Sequence, residues 1–281
     1  MRMLCAPLCR GQPHRGVKDA PEMVRRFLRP SQGLEVVPPA PTLDDDSVWS
    51  QCAALRDHLI PLLKARADPL LVVGGDHSLS AGTVAATRHV YPGAKVLWID
   101  AHADVHTPET SESGNAHGMP LAMLTGRAPS ELSCLDPRDL VYLGLRDVDA
   151  PEAEWIAAQR ANGMSVFTGK DVASQGMAEI MQGVRYQLAS SPVHVSFDID
   201  VVDPSLAPGT GTAVPQGLTK HDLLPLLRAL GLLNIVCLDL VEVNPSLDDG
   251  TKTAQLAAAI AVDALEGTVA QTARVLGVES V

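Results

Sequence analysis

Lys95-Val96-Leu97-Trp98-Ile99-Asp100-Ala101-His102-Ala103-Asp104 is the stretch whose reading decides the fold. After Lys95 the first half is continuously apolar, the pattern of a strand covered on both faces. The second half carries Asp, His and Asp at alternating positions. Side chains alternate along a strand, so Asp100, His102 and Asp104 are expected on one face where the strand ends. Such a row either binds something or repels itself.

The same arrangement recurs in both directions from this stretch. An apolar run at 69–73 leads into Gly74-Gly75-Asp76-His77-Ser78, and one at 140–143 leads into Gly144-Leu145-Arg146-Asp147-Val148-Asp149. Runs at 193–197 and 235–238 lead into Asp198-Ile199-Asp200 and Asp239-Leu240-Val241-Glu242-Val243-Asn244-Pro245. Shorter strands are expected at 3–5 and 34–37. Helical periodicity covers 48–63, where Pro61 is expected to kink or divide the helix, and 80–89. Further helices are expected at 22–28 behind Pro21, at 151–161, at 175–188, and at 220–230 between the capping-box pair Thr219 and Asp222 and the terminator Gly231. The Asp44-Asp45-Asp46 triplet reads as a solvated loop that caps the next helix. Apolar strands alternating with helices imply an α/β fold whose mainly parallel sheet is covered on both sides. With no linker or repeat in view, residues 1–281 read as one domain.

Composition narrows the function. The chain has 281 residues, 46% of them hydrophobic, enough to bury a sizeable core. A formal net charge of −11 argues against nucleic acid as a partner and favours a cationic small molecule. The five cysteines, at 5, 9, 52, 134 and 237, are odd in number and lack metal-ribbon spacing, which suits a reducing, cytoplasmic setting. No run approaches the length of a membrane span, and the N-terminal apolar run is too short for a signal peptide.

Parallel strands bring their carboxyl ends to one side, so His77, Asp100, His102, Asp104, Asp198 and Asp200 are expected to converge there. Four carboxylates placed together need protons, arginines or cations. Two divalent ions would supply four positive charges, and the two imidazoles would add neutral nitrogen donors. Oxygen-rich ligation with some imidazole suits Mn²⁺, with Fe²⁺, Co²⁺, Ni²⁺ or Zn²⁺ as alternatives; no thiolate points to structural zinc. A two-metal site can activate a shared water near neutral pH, which makes hydrolysis the expected chemistry.

The glycine-rich Asp76-His77 motif, the 100–104 motif, Ser196-Phe197-Asp198-Ile199-Asp200 with Asp203-Pro204, and Leu240-Val241-Glu242-Val243-Asn244-Pro245 together resemble the ureohydrolases, the arginase and agmatinase family. The chain looks most like the arginase branch. Gly11-Gln12-Pro13, Ser113-Gly114-Asn115-Ala116-His117-Gly118, Gly144-Leu145-Arg146-Asp147-Val148-Asp149 and Gly211-Thr212 extend the resemblance from the first strand to the last helix. It implies a three-layer α/β/α fold around a largely parallel eight-stranded sheet, two Mn²⁺ ions per subunit, and a homotrimer or homohexamer.

By the same resemblance, His77, Asp100, Asp104 and Asp198 would hold one ion and His102, Asp100, Asp198 and Asp200 the other. The implied reaction is attack of a metal-bridging hydroxide on a guanidinium carbon, converting L-arginine to L-ornithine and urea. Glu242 would pair with the guanidinium, Asp104 would carry the proton, and His117 would shuttle it. Ser113, Asn115, Asp149 and Thr212 would contact the amino-acid end. One position departs from the pattern: His106 stands where arginases usually carry Asn, which opens the alternatives of agmatine or another guanidino acid as substrate. A metal-bound protein that binds a guanidino ligand without turnover is the reading from outside the enzymes.

Overall fold

A computed structural model describes residues 1–31, 33–39, 47–66 and 68–278. Eight strands form one sheet: β1 (Arg2–Ala6), β2 (Glu35–Val36), β3 (Leu70–Gly74), β4 (Lys95–Ile99), β5 (Leu140–Leu145), β6 (Ser165–Thr168), β7 (Val193–Asp198) and β8 (Ile235–Val241). Their order is β2-β1-β3-β8-β7-β4-β5-β6, and every pairing is parallel. Every residue of β3, β5, β7 and β8 is buried, as a sheet covered on both faces requires.

The helices of the described residues are α1 (Ala20–Phe27), α2 (Val48–Ala65), α3 (Ser80–Val90), α4 (Pro120–Thr125), α5 (Ala150–Ala161), α6 (Gly169–Gln175), α7 (Met177–Leu188), α8 (Lys220–Leu230), α9 (Lys252–Glu266) and α10 (Ala270–Val275). Strand side chains sort between the faces with period two. Leu71, Val73, Leu97 and Ile99 join the core under α1, α7, α8 and α9, whereas Leu70, Val72, Val96 and Trp98 join the core under α2, α3, α4 and α5. The result is the expected three-layer α/β/α architecture.

Several local expectations change. The helix expected at 175–188 is α7, which starts two residues later at Met177 because Gly176 takes φ +83° and separates it from α6, a helix the sequence did not suggest. Pro61 and Pro225 divide nothing. The residues four positions earlier, Asp57 and His221, whose carbonyls lose their helical partner, are both exposed. Helix α2 is capped by Ser47, whose side chain accepts from the Ser50 N–H at 3.3 Å, while Asp44-Asp45-Asp46 lies outside the described residues. The Thr219–Asp222 capping box forms as its spacing predicts. Strand β6 carries too short an apolar signal to be foreseen. All five cysteines are free thiols, and among the described residues no helix is long and apolar enough to cross a membrane.

Sheet order places the site. Strands β8 and β7 sit between β3 and β4, and the connections after β3 and β4 lead to one helical layer while those after β7 and β8 lead to the other. The chain therefore parts in opposite directions above β3, β8, β7 and β4, the position where open α/β sheets form a crevice at their carboxyl ends. Gly75 makes the first of these turns tight: a Cβ there would lie 1.7 Å from the Leu8 carbonyl oxygen, and the Gly75 N–H donates to Ala6 O at 3.1 Å.

Candidate metal centre and active site

His77 leaves the end of β3 in a short 3-10 turn capped by Asp76, which accepts from the Ser78 N–H at 3.1 Å. The other Asp76 oxygen accepts from Gly11 N at 2.8 Å and ties the N-terminal loop to the site. The His77 ring stacks on Trp98 with centroids 4.2 Å apart and planes within 7°. Its Nε2 lies 2.8 Å from Ser196 Oγ. That leaves Nδ1, which is buried, in no hydrogen-bond geometry, and 3.1, 2.9 and 3.1 Å from single oxygens of Asp100, Asp104 and Asp198. An imidazole nitrogen surrounded by three carboxylate oxygens, with its other nitrogen held from behind, has the donor set of a divalent-metal site.

A second cluster adjoins the first. His102 Nδ1 lies 3.0 Å from Asp200 Oδ2 and 3.6 Å from Asp100 Oδ1. Asp100 thus turns one oxygen to each cluster, and its Oδ2 also accepts from Trp98 Nε1 at 3.0 Å. Asp198 gives Oδ2 to His77, while its Oδ1 accepts from Asp200 N at 2.8 Å. Thr212 Oγ1 donates to Asp200 Oδ2 at 2.9 Å.

All of these ionisable groups but one are pushed the same way. Burial, then the charges of Asp200 and Asp100, pushes Asp198 well above the usual carboxylate range; burial and Asp100 push Asp200 up, and push Asp104 to about 6. Burial disfavours the charged form of His77, but Asp100, Asp104 and Asp198 overcome it and drive the imidazole upward. His102 is driven upward in the same way by Asp200 and Asp100 against burial. Asp100 alone is held low, because the two imidazoles outweigh its burial. Three carboxyl groups and two imidazoles all pushed upward mark a site short of positive charge, which divalent cations would supply.

Three supports were not foreseen from sequence. Ser196 Oγ continues to Ser80 Oγ at 3.1 Å, Ser80 to Asp239 Oδ2 at 3.0 Å, and Asp239 to His194 Nε2 at 2.9 Å, where Thr87 closes the chain on Nδ1 at 2.8 Å. His194, Cys237 and Asp239 also lie close enough together to resemble a metal cluster, but Asp239 Oδ2 already takes Ser80, Thr83 and His194, so this group is a hydrogen-bonded brace behind His77. Trp98 is the second support. Asp147, with Oδ2 3.6 Å from His102 Nε2, is the third. Ser196 and Asp147 belong to motifs quoted above, and their place beside the ligands was the available signal.

Asp104 and Glu242 are two of the few non-glycine residues with left-handed backbones, at φ +52° and +63°. Such strain persists where the surroundings over-determine it. Glu242 N donates to Gly75 O at 2.9 Å, and Glu242 Oε1 accepts from His77 N at 2.8 Å. Gln12 Nε2 donates to the other oxygen. Glu242 is therefore buried behind His117, whose Nδ1 lies 3.2 Å from Glu242 Oε1.

A cavity of about 200 Å³ opens onto these groups. Asp104, Asp198, Asp200, Asp147, Asp149 and Glu152 line it together with three imidazoles, His102, His106 and His117, and Thr212; no lysine or arginine does. Glu242 lies outside this lining. So do Ser113 and Asn115, which sit on the loop before His117, where Ser113 Oγ accepts from the Asn115 N–H at 3.2 Å. Burial and the Asp104 charge push Glu152 up to about 7.

His117 gives a direct test of this electrostatics. Burial lowers its pKa, but Glu242 outweighs burial and raises it to about 9. A raised folded value means that the contact stabilises the fold fully below the unfolded value near 6.5 and loses that contribution as pH rises through about 9. Glu242→Gln is expected to return His117 toward about 6.5, followed by imidazole NMR titration of the metal-free protein. An unmoved His117 titration would refute the pairing.

Comparison with known proteins agrees with the geometry. The arginase family model matches residues 1–266. The mitochondrial arginase-2 of Rattus norvegicus is 34% identical over 95% of this chain and 84% of its own length. An arginase of Staphylococcus aureus is 40% identical over 68% of this chain, and the match spans 65% of that relative, just under two thirds of its length. The crystal structure of arginase from Bacillus subtilis superimposes with a TM-score of 0.87 at 31% identity, covering 95% of this chain and 98% of that one. With one family model running through every site motif and a solved arginase sharing the same eight-stranded frame, the chain belongs to the arginase family.

Proposed function

We propose that this arginase-like ureohydrolase converts L-arginine and water to L-ornithine and urea, using two Mn²⁺ ions. The observation that carries the reading is the cavity lining: six carboxylates, three imidazoles and no lysine or arginine, a surface suited to two divalent ions and a guanidinium. His77, Asp100, Asp104 and Asp198 would hold one ion and His102, Asp100, Asp198 and Asp200 the other, with Co²⁺, Ni²⁺, Fe²⁺ or Zn²⁺ as possible replacements. When bound, the ions supply a water acidified to nucleophilic strength near neutral pH.

The protein groups do the rest. Asp104, which lines the cavity with its Oδ2 2.9 Å from His77 Nδ1, takes the proton from the attacking water and returns it to the departing amine nitrogen. His117 lies between the buried Glu242 and the cavity, so it exchanges that proton with solvent. Glu242 holds His117 in the required charge state and turns to the guanidinium when substrate displaces its present partners. Thr212 fixes Asp200, while Ser113, Asn115, Asp149 and His106 deal with the amino-acid end. The acidic chain and its unpaired thiols support work in the cytoplasm on a small molecule, without nucleic acid or membrane, and the family resemblance supports a single domain assembled into trimers or hexamers.

Urea release by the Mn²⁺-loaded protein from L-arginine, agmatine, 4-guanidinobutanoate and other guanidino acids tests the reading. L-Arginine is expected to be the best substrate of this set. Urea from agmatine alone would overturn arginine as substrate, and urea from none would favour a protein that binds a guanidino ligand without turnover.

A further inference from the structure

Asp149 and Glu152 line the cavity, Asp149 being the carboxylate that the reading above assigns to the amino-acid end, and both are already engaged. Asp149 Oδ1 caps α5 by accepting from the Glu152 N–H at 3.1 Å. Asp149 Oδ2 lies 3.2 Å from His106 Nε2. Glu152 Oε1 accepts from Val105 N at 3.2 Å and lies 3.8 Å from the same imidazole nitrogen.

His106 is held at both ends. Its Nδ1 lies 3.1 Å from Thr110 Oγ1, and that hydroxyl oxygen accepts from the Thr107 N–H at 2.9 Å. The Thr110 hydroxyl, which also reaches the Thr107 carbonyl oxygen at 3.4 Å, holds the ring in place, and in the tautomer protonated at Nε2 the N–H faces Asp149 Oδ2. The His106 side chain is only 18% exposed, so this arrangement is built into the site before any ligand arrives. An imidazole already seated against Asp149 Oδ2 is a competitor that a substrate ammonium would have to displace.

On the guanidino-hydrolase reading given above, we propose that His106 is a specificity-determining residue. By occupying Asp149 Oδ2 it weakens selection for an α-ammonium group, so that a guanidino acid lacking one is accepted nearly as well as an α-amino acid. A smaller side chain at 106 would release Asp149 to the substrate. A hydrogen bond to a charged group is worth enough for a change of about tenfold or more.

The test compares L-arginine with 4-guanidinobutanoate, whose chain carries the carboxylate without the α-ammonium, in the Mn²⁺-loaded wild type, His106→Asn and His106→Ala. The two kcat/KM values of the wild type are expected within about tenfold of each other, and both variants are expected to shift the ratio toward arginine by about tenfold, mainly through KM. Calorimetry of L-ornithine and 5-aminopentanoate, which differ in the same group, reads the change without turnover: ornithine alone is expected to bind more tightly to the variants. Thr110→Val leaves the Asp149 contact while freeing Nδ1, and is expected to fall between. Urea release with an unchanged substrate ratio and unchanged ornithine binding would overturn the role of His106 while leaving the hydrolase reading standing. Failure of both substrates in all proteins would overturn the hydrolase reading, and tighter ornithine binding in the variants would still support the role of His106.

Discussion

Asp104→Asn is expected to slow urea release from L-arginine by about 10²–10⁴-fold, the range for losing a positioned general acid–base group. Asparagine is the informative replacement for a conformational reason. Asp104 sits at φ +52°, a left-handed conformation that Asn tolerates better than most residues, so the turn between the two metal clusters survives. The amide keeps an oxygen toward His77 Nδ1, which lies 2.9 Å from Asp104 Oδ2, but it cannot carry the proton. Metal content measured on the same preparation separates a lost proton carrier from a lost ligand. Two ions per subunit with a wild-type rate would refute the proposed role of Asp104.

Removing divalent metal is expected to cause the largest change in stability. The carboxylates of Asp100, Asp104, Asp198 and Asp200 are almost fully buried, and three of them are pushed above the ordinary carboxylate range. An ion that binds only the folded chain stabilises it by about 4 kcal/mol at a free concentration 1,000 times its Kd. For a chain of this size that corresponds to roughly 8–16 °C in Tm, so a chelator is expected to lower Tm by this order and added Mn²⁺ to restore it. The pH dependence has a definite sign. A carboxyl whose folded pKa lies above its unfolded value binds more protons when folded, so stability falls as pH rises through the folded value. For Asp104 that point is about 6, and the loss on chelation is expected to widen as pH rises through it. Differential scanning calorimetry with and without chelator from pH 5 to pH 8 checks both effects; coincident traces would remove the case for structural dependence on metal.

The parts of this protein written in local sequence are those whose physics is local. A buried parallel strand needs a continuous apolar run, and the runs before His77, Asp100, Asp147, Asp198 and Glu242 are each strands whose carboxyl ends meet on one side. The capping box at Thr219 and Asp222 was legible because its two hydrogen bonds span three residues. Pro61 does not divide its helix, because the cost of a proline depends on whether the orphaned carbonyl meets water, and that is decided by which side of the helix faces the core.

By itself, then, the sequence determined an α/β frame with six metal-type donors following its apolar strands, because side-chain period and donor chemistry are properties of short segments. Only the tertiary structure decided that β8 and β7 lie between β3 and β4, which opens the crevice. The same long-range packing sets the brace from Asp239 to His77, the burial of Glu242 behind His117, and the contact of His106 with Asp149. In each case the partners come from distant segments or from opposite sides of a turn, and their meeting is fixed by strand pairing and core packing that no short stretch contains.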